Sequence, residues 1–127
     1  MNLLLDTCAL IALPAGALPA AASEALRRAP EALVSCVSAW EVAIKQQSGK
    51  LRLTTKPHAW FARLCQRYRL RELPLDSALA CAAAELPLLH RDPFDRVLVA
   101  CAHRHRVIIL TSDETIASYP GIQTLWA

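Results

Sequence analysis

The sequence predicts an α/β fold with a mostly parallel central sheet. Short, almost wholly apolar runs rich in β-formers alternate with amphipathic helical segments, and helix-start or helix-stop residues stand at most of the junctions. Acidic side chains recur just past the apolar runs, where parallel sheets carry their ligand sites.

Each element has its own justification. The run Asn2–Leu5 reads as a buried strand ending at Asp6. "TCALIAL" then looks helical as far as Pro14, and a second helix covers Ala20–Arg28, with Arg27 and Arg28 at the dipole-favoured end. Ala32–Val37 is the next β-rich run. It leads through Ser38 into a helix that closes at Gly49, with Trp40, Ala43, Ile44 and Gln47 on one face. Pro57 opens another helix, "PHAWFARLCQRY". Leu70–Leu75 reads as a strand weakened by Pro74, and Asp76 caps "SALACAAAEL". "FDRVLVACAHRH" follows Pro93 as a helix, and Arg106–Thr111 is the clearest strand of all. "SDETIASY" gives a short helix stopped by Pro120 and Gly121, and "IQTLW" a last strand.

The bulk composition sets limits. With 127 residues, 54% of them hydrophobic and 20% charged, the chain is long enough and apolar enough for one compact domain over residues 1–127. No linker, repeat or low-complexity tract divides it. The net charge of +3 is a mild bias towards anionic partners. Five cysteines, an odd number with no CxxC pair, read as buried free thiols of a reducing cytoplasm. "TCALIALPAGALPAAA" loosely resembles a secretory signal, but no Lys or Arg precedes Arg27, Asp6 interrupts the stretch, and Pro14, Gly16 and Pro19 would break a spanning helix. The expectation is folded structure in a cytoplasmic protein with no membrane contact.

Four acids carry the chemistry. Asp6 follows the first strand, Glu41 lies on the helix after the second, Asp113 follows "VIIL", and Asp95 opens a helix. Capping explains some of them. Ser38 with Glu41 spells S-x-x-E, a capping box. Asp92 before Pro93 is an N-cap with proline at the first helical position. Asp113 can cap the helix after it. Asp95 resists that explanation, because Leu98, Val99 and Ala102 place it on the apolar stripe of its helix. A desolvated carboxylate is costly unless paired or bound to metal. Two carboxylates about 6 Å apart repel by roughly 3 kcal/mol at an effective dielectric near 20. A cluster of four needs divalent cations, and an all-oxygen donor set selects Mg²⁺ or Mn²⁺. On this reading Asp92 caps the helix and Asp95 faces a metal.

The segments "LLLDTCAL", "VSAWEVAIK", "HRDPFDRVLVACA" and "ILTSDETIASYPGIQTLW" together resemble, in order from Asn2 to Trp126, the PIN-domain ribonucleases of the VapC toxin type. The resemblance implies a parallel α/β/α sandwich whose acids hold Mg²⁺ or Mn²⁺ and hydrolyse RNA phosphodiester bonds. It assigns that role to Asp6, Glu41, Asp95 and Asp113, and an auxiliary one to Thr7, Thr111 and Asp92. "LPAGALPAAASEAL" departs from the family by looking shorter than usual. A cognate VapB-like antitoxin that blocks the site and a homodimer are further implications.

In the mechanism so implied, metal-activated water attacks the phosphate in line, with no Ser, Cys or His nucleophile. His58, His90, His103 and His105 read as surface or loop residues. Lys45, Lys50, Arg52, Arg63, Arg67 and Arg96 are candidates for holding the RNA backbone, along a basic middle third that also contains Lys56, Arg69 and Arg71. No aromatic stacking platform accompanies them. Three other readings compete. A receiver-type signalling domain would need paired acids after its first strand and a late Lys, yet Asp6 stands alone and no Lys follows Lys56. A haloacid-dehalogenase-like phosphatase would need D-x-D where this chain has "DTC". A catalytically silent PIN-like binding module would not need four intact acids.

Overall fold

The computed structural model describes residues 1–127. In chain order the elements are β1 (Leu3–Leu5), α1 (Thr7–Ala12), α2 (Ala20–Arg28), β2 (Ala32–Ser35), α3 (Cys36–Gln47), α4 (Pro57–Tyr68), β3 (Leu70–Leu73), α5 (Ser77–Glu85), α6 (Pro93–His105), β4 (Ile108–Leu110), α7 (Glu114–Ala117) and β5 (Thr124–Leu125).

The five strands form one sheet in the order β3-β2-β1-β4-β5. Every pairing is parallel, so the sheet is wholly rather than mostly parallel. β1 sits at the centre, with Leu3, Leu4 and Leu5 level with Ala32, Leu33 and Val34 on one side and Ile108, Ile109 and Leu110 on the other. Side chains alternate across the pleat, so a continuous apolar run serves two cores. Leu4, Leu33 and Ile109 meet Leu79 of α5, the Val97–Ala102 stretch of α6, and Ile116 with Tyr119. Leu5, Val34 and Leu110 meet Ala9 and Leu10 of α1, Ala22 of α2, and Phe61 with Leu64 of α4. The result is an α/β/α sandwich. The signal-like stretch contributes buried residues Ala9, Leu10 and Ala22 to it. No helix is long and apolar enough to cross a membrane.

The chain runs from β1 outward through β2 to β3, then returns to place β4 on β1's other side. The order therefore reverses between β1 and β4, and the crevice beyond their carboxyl ends is where a parallel sheet binds ligands.

Several boundaries differ from the sequence reading for local reasons. The second strand stops at Ser35 rather than Val37, because the Ser35 side chain accepts from the Val37 N–H (3.2 Å) and starts α3. Ser38 therefore lies inside the helix and makes no capping box with Glu41. The strand expected to reach Leu75 ends at Leu73, before Pro74, which has no N–H to give. Arg106 is not in β4. It takes a left-handed conformation (φ 54°) that closes α6. The last helix is four residues long and the last strand two, shorter than expected. Pro57 at the start of α4, Asp76 capping α5 and Asp92 capping α6 stand as read. All five thiols are free, but only Cys101 is buried, and Cys8 and Cys81 are exposed. Helix faces that point outward account for the difference.

Candidate metal centre

Asp6 leaves the end of β1 almost wholly buried. Its Oδ1 accepts from the Ala9 N–H at 2.7 Å, capping α1, and its Oδ2 accepts from the Thr111 hydroxyl at the end of β4. Thr111 Oγ1 in turn accepts from the Asp113 N–H at 3.0 Å. One threonine thus ties together the ends of the two strands at the topological reversal. Thr7 acts similarly one layer away, donating to Ser38 Oγ at 3.0 Å and so joining α1 to α3.

Glu41 projects from the second turn of α3. Its Oε2 pairs with Lys45 Nζ at 3.2 Å, one helical turn on. Its Oε1 is shut off from solvent and has no hydrogen-bond partner. A buried carboxylate oxygen left unpaired is costly, and a cation would satisfy it.

Asp95 stands on the first turn of α6, its side chain 17% exposed. Asp92 caps the same helix through Oδ1 to the Phe94 N–H at 2.9 Å. Asp113 caps α7 through Oδ1 to the amides of Thr115 (2.8 Å) and Ile116 (3.4 Å). Between Asp95 and Asp113 lies a residue that reads from the sequence as surface or loop with no part in the site; it does lie in the loop between α5 and α6. His90 Nε2 is 3.0 Å from Asp95 Oδ2 and 3.1 Å from Asp113 Oδ2. The only hint in the sequence is its place two residues before the N-cap Asp92, within reach of that residue's amide. The ring Nδ1 does accept the Asp92 N–H, at 3.2 Å.

The four acids feel one another. Burial pushes the Asp95 carboxyl up to about 7, and the charges of Asp92, Glu41 and Asp113 add to that against the opposing pull of His90. Asp6 is also raised, chiefly by burial, with Asp113 and Glu41 contributing. Asp113 is the exception. Its partial burial would raise it, but hydrogen bonds from His90 and from the two helix amides outweigh that and hold it below the usual carboxylate range. Burial would lower the Lys45 ammonium, and Glu41 outweighs it, keeping Lys45 firmly charged.

Among the basic residues the structure separates roles that the sequence left together. Arg96 is buried and does not face solvent. Its guanidinium donates to the carbonyls of Ala84 (3.1 Å), Leu86 (2.9 Å), Pro87 (3.1 Å) and His90 (3.2 Å), and to Tyr119 Oη (3.3 Å). It caps the carbonyl end of α5 and fixes the loop leading to α6, so it is not a backbone-binding cation. Arg67 lies at the far end of α4, next to the amino end of β3 and away from the acids. Lys50, Arg52 and Arg63 are exposed, and Lys45 is half-buried against Glu41.

The same chain resembles known proteins along almost its whole length. Ribonuclease VapC22 of Mycobacterium tuberculosis is 29% identical over 109 residues, covering 84% of this chain and 82% of that protein. Two solved complexes share the fold. One is VapBC2 from Rickettsia felis bound to a DNA fragment from its promoter, with a TM-score of 0.71, 13% identity and 100% of both chains covered. The other is DNA-bound VapBC from Salmonella typhimurium, with a TM-score of 0.69, 16% identity and coverage of 98% of this chain and 97% of that one. The PIN domain family matches residues 3–122, and with that span covered the chain belongs to the PIN-domain family.

Proposed function

We propose that residues 1–127 form one PIN domain that works in the cytoplasm as a metal-dependent endoribonuclease, the VapC-type toxin of a toxin–antitoxin pair. The observation that carries this reading is the unpartnered, buried Oε1 of Glu41 among three other carboxylates at the reversal of a parallel sheet. A donor set of carboxylate oxygens suits Mg²⁺, with Mn²⁺ able to substitute. Asp6, Glu41, Asp95 and Asp113 would hold the ion. When bound, it supplies an activated water and neutralises charge on the scissile phosphate.

The chain's own residues do the rest. Thr111 fixes Asp6 against β4, and Thr7 with Ser38 fixes α1 against the helix that bears Glu41. Asp95 must give up the proton that its buried site favours before it can act as a ligand. Lys45, held charged beside Glu41, offers a cation to an approaching RNA phosphate. Exposed Lys50, Arg52 and Arg63 extend that field along the basic middle third. Trp40 and Ile44 are 58% and 45% exposed on the helix that carries Glu41, and Phe94 meets Trp40 edge-on at 5.1 Å. Large apolar side chains beside a polar site suit a protein partner, which supports a VapB-like antitoxin and a homodimer.

The test is cleavage of structured RNA by the purified chain, freed of any antitoxin, with Mg²⁺ or Mn²⁺. EDTA and Glu41→Gln should each abolish it. Cleavage undiminished by EDTA refutes the reading. Metal binding without cleavage favours a silent binding module.

A further inference from the structure

We infer that His90 is a positioning residue of this centre: its Nε2–H donates to Asp113 while the same nitrogen lies against Asp95, and the ring so holds the two carboxylates in one fixed arrangement. The inference rests on the metal-dependent reading above and adds a residue and a role to it.

Proximity alone suggests something different. His90, Asp95 and Asp113 each offer a ligand atom, and those atoms lie within 4.8 Å of one another, so His90 resembles a third ligand. The hydrogen bonds argue against that. Nδ1 accepts the Asp92 N–H at 3.2 Å, so the ring proton sits on Nε2. A protonated nitrogen has no lone pair for a metal. A ligating histidine would instead need its proton on Nδ1, facing an acceptor, and here it faces an N–H. The Nε2–H is placed to donate to Asp113 Oδ2 at 3.1 Å, and Asp95 Oδ2 lies 3.0 Å from the same nitrogen, off the line of that hydrogen bond. A carboxylate oxygen has a second lone pair, so Asp113 Oδ2 can accept from His90 and still bind a cation.

A ring that merely fills the cation's place and swings aside is the other alternative. His90 is held too firmly for that. Its backbone N–H donates to Tyr119 Oη at 2.9 Å, and its carbonyl accepts from Arg96 at 3.2 Å. Arg96 also donates to the same Tyr119 oxygen at 3.3 Å. Main chain and ring are thus fixed together by a buried arginine and a buried tyrosine. The loop between α5 and α6 is built to present one imidazole to two acids.

The experiment is Mn²⁺ titration, followed by electron paramagnetic resonance, of the wild-type chain and of His90→Ala and His90→Asn. Both variants should bind Mn²⁺ roughly tenfold or more weakly, as for other groups that orient ligands from behind. Pulsed spectra of wild-type protein with bound Mn²⁺ should show no directly coordinated nitrogen. In an Asp113→Ser background, where the cap survives but His90 has lost its carboxylate acceptor, removing His90 should weaken binding less than in wild type. Directly bound nitrogen would make His90 a ligand and overturn the inference, and that measurement needs no variant. Tighter binding in the variants would make it a plug, and unchanged affinity would leave it no role. Both outcomes overturn the inference while sparing the metal reading. Wild-type protein that binds no Mn²⁺ overturns both.

Discussion

Replacing Asp95 by Asn removes a carboxyl that burial keeps protonated up to about pH 7. In the unfolded chain the same group loses its proton near its ordinary value of 3.8. Between those two values the folded protein holds more protons than the unfolded one. Raising the pH through that window therefore lowers the stability of the metal-free wild type, and above about 7 the loss is complete. A gap of about 3 units at about 1.4 kcal/mol per unit sets an upper bound near 4 kcal/mol. The side chain is 17% exposed, so solvent relieves part of this, and about 2 kcal/mol is the expected gain. Asparagine is nearly isosteric and the His90 hydrogen bond goes to Asp113, so little else is lost. For a chain of this size 1 kcal/mol moves Tm by about 4 °C. In EDTA at about pH 8, Asp95→Asn should melt about 8 °C above wild type, and the difference should shrink towards nothing near pH 4. Saturating Mn²⁺ should then stabilise wild type far more than the variant, because a ligand has gone. Melting curves across that pH range, with EDTA and with Mn²⁺, decide it. A Tm difference independent of pH, or a variant less stable than wild type at the alkaline end, refutes the account of Asp95 as a desolvated carboxyl in an acidic cluster.

Two further changes separate neighbours on α6. Asp92→Asn should keep most RNA cleavage, since Asn caps nearly as well as Asp, while Asp95→Asn abolishes it with the fold intact; equal loss in both would place Asp92 in the site. Arg96→Met leaves the carbonyls of Ala84, Leu86 and His90 without their side-chain donor, while Pro87 keeps the Leu89 N–H, and should cost roughly 3 kcal/mol or more in urea unfolding; a loss below about 1 kcal/mol would show that the loop holds itself.

The sequence carried the fold further than it carried the site. Apolar runs separated by Pro, Gly and capping residues show each element, since those signals are local. Their ends moved where a side chain chose a different partner, as when Ser35 rather than Ser38 opened α3. Asp6 and Asp113 follow apolar runs and Asp95 opens a helix, which makes them legible; Glu41 reads as a first-turn acid but stands on the second turn, because α3 starts at Cys36. Arg96 misled because a charge next to a helix start reads as solvent-facing. Its real partners are carbonyls at the end of another helix, which no local pattern announces. His90 was missed for the same reason. Its contacts span 23 residues to Asp113 and 29 to Tyr119, and only the packed α5–α6 corner brings them together.

Capping and metal binding are rival explanations for these acids only if a cap uses the whole carboxylate, and here each cap uses one oxygen. Asp113 gives Oδ1 to the amides of α7 and turns Oδ2 towards His90. Asp6 gives Oδ1 to α1 and Oδ2 to Thr111. The cap fixes one oxygen and thereby aims the other. It also fixes the limit of what capping can do for the cluster. A helix N-terminus stabilises an acid by about 0.3–1 kcal/mol, whereas each close pair of carboxylates costs roughly 3 kcal/mol. Caps set the geometry and cannot offset the charge. Without a cation the remainder falls on a proton, and Asp95, which caps no helix and is mostly buried on the first turn of α6, is where the protein keeps it. A divalent ion that displaces that proton would complete a site whose geometry the helix starts have already fixed.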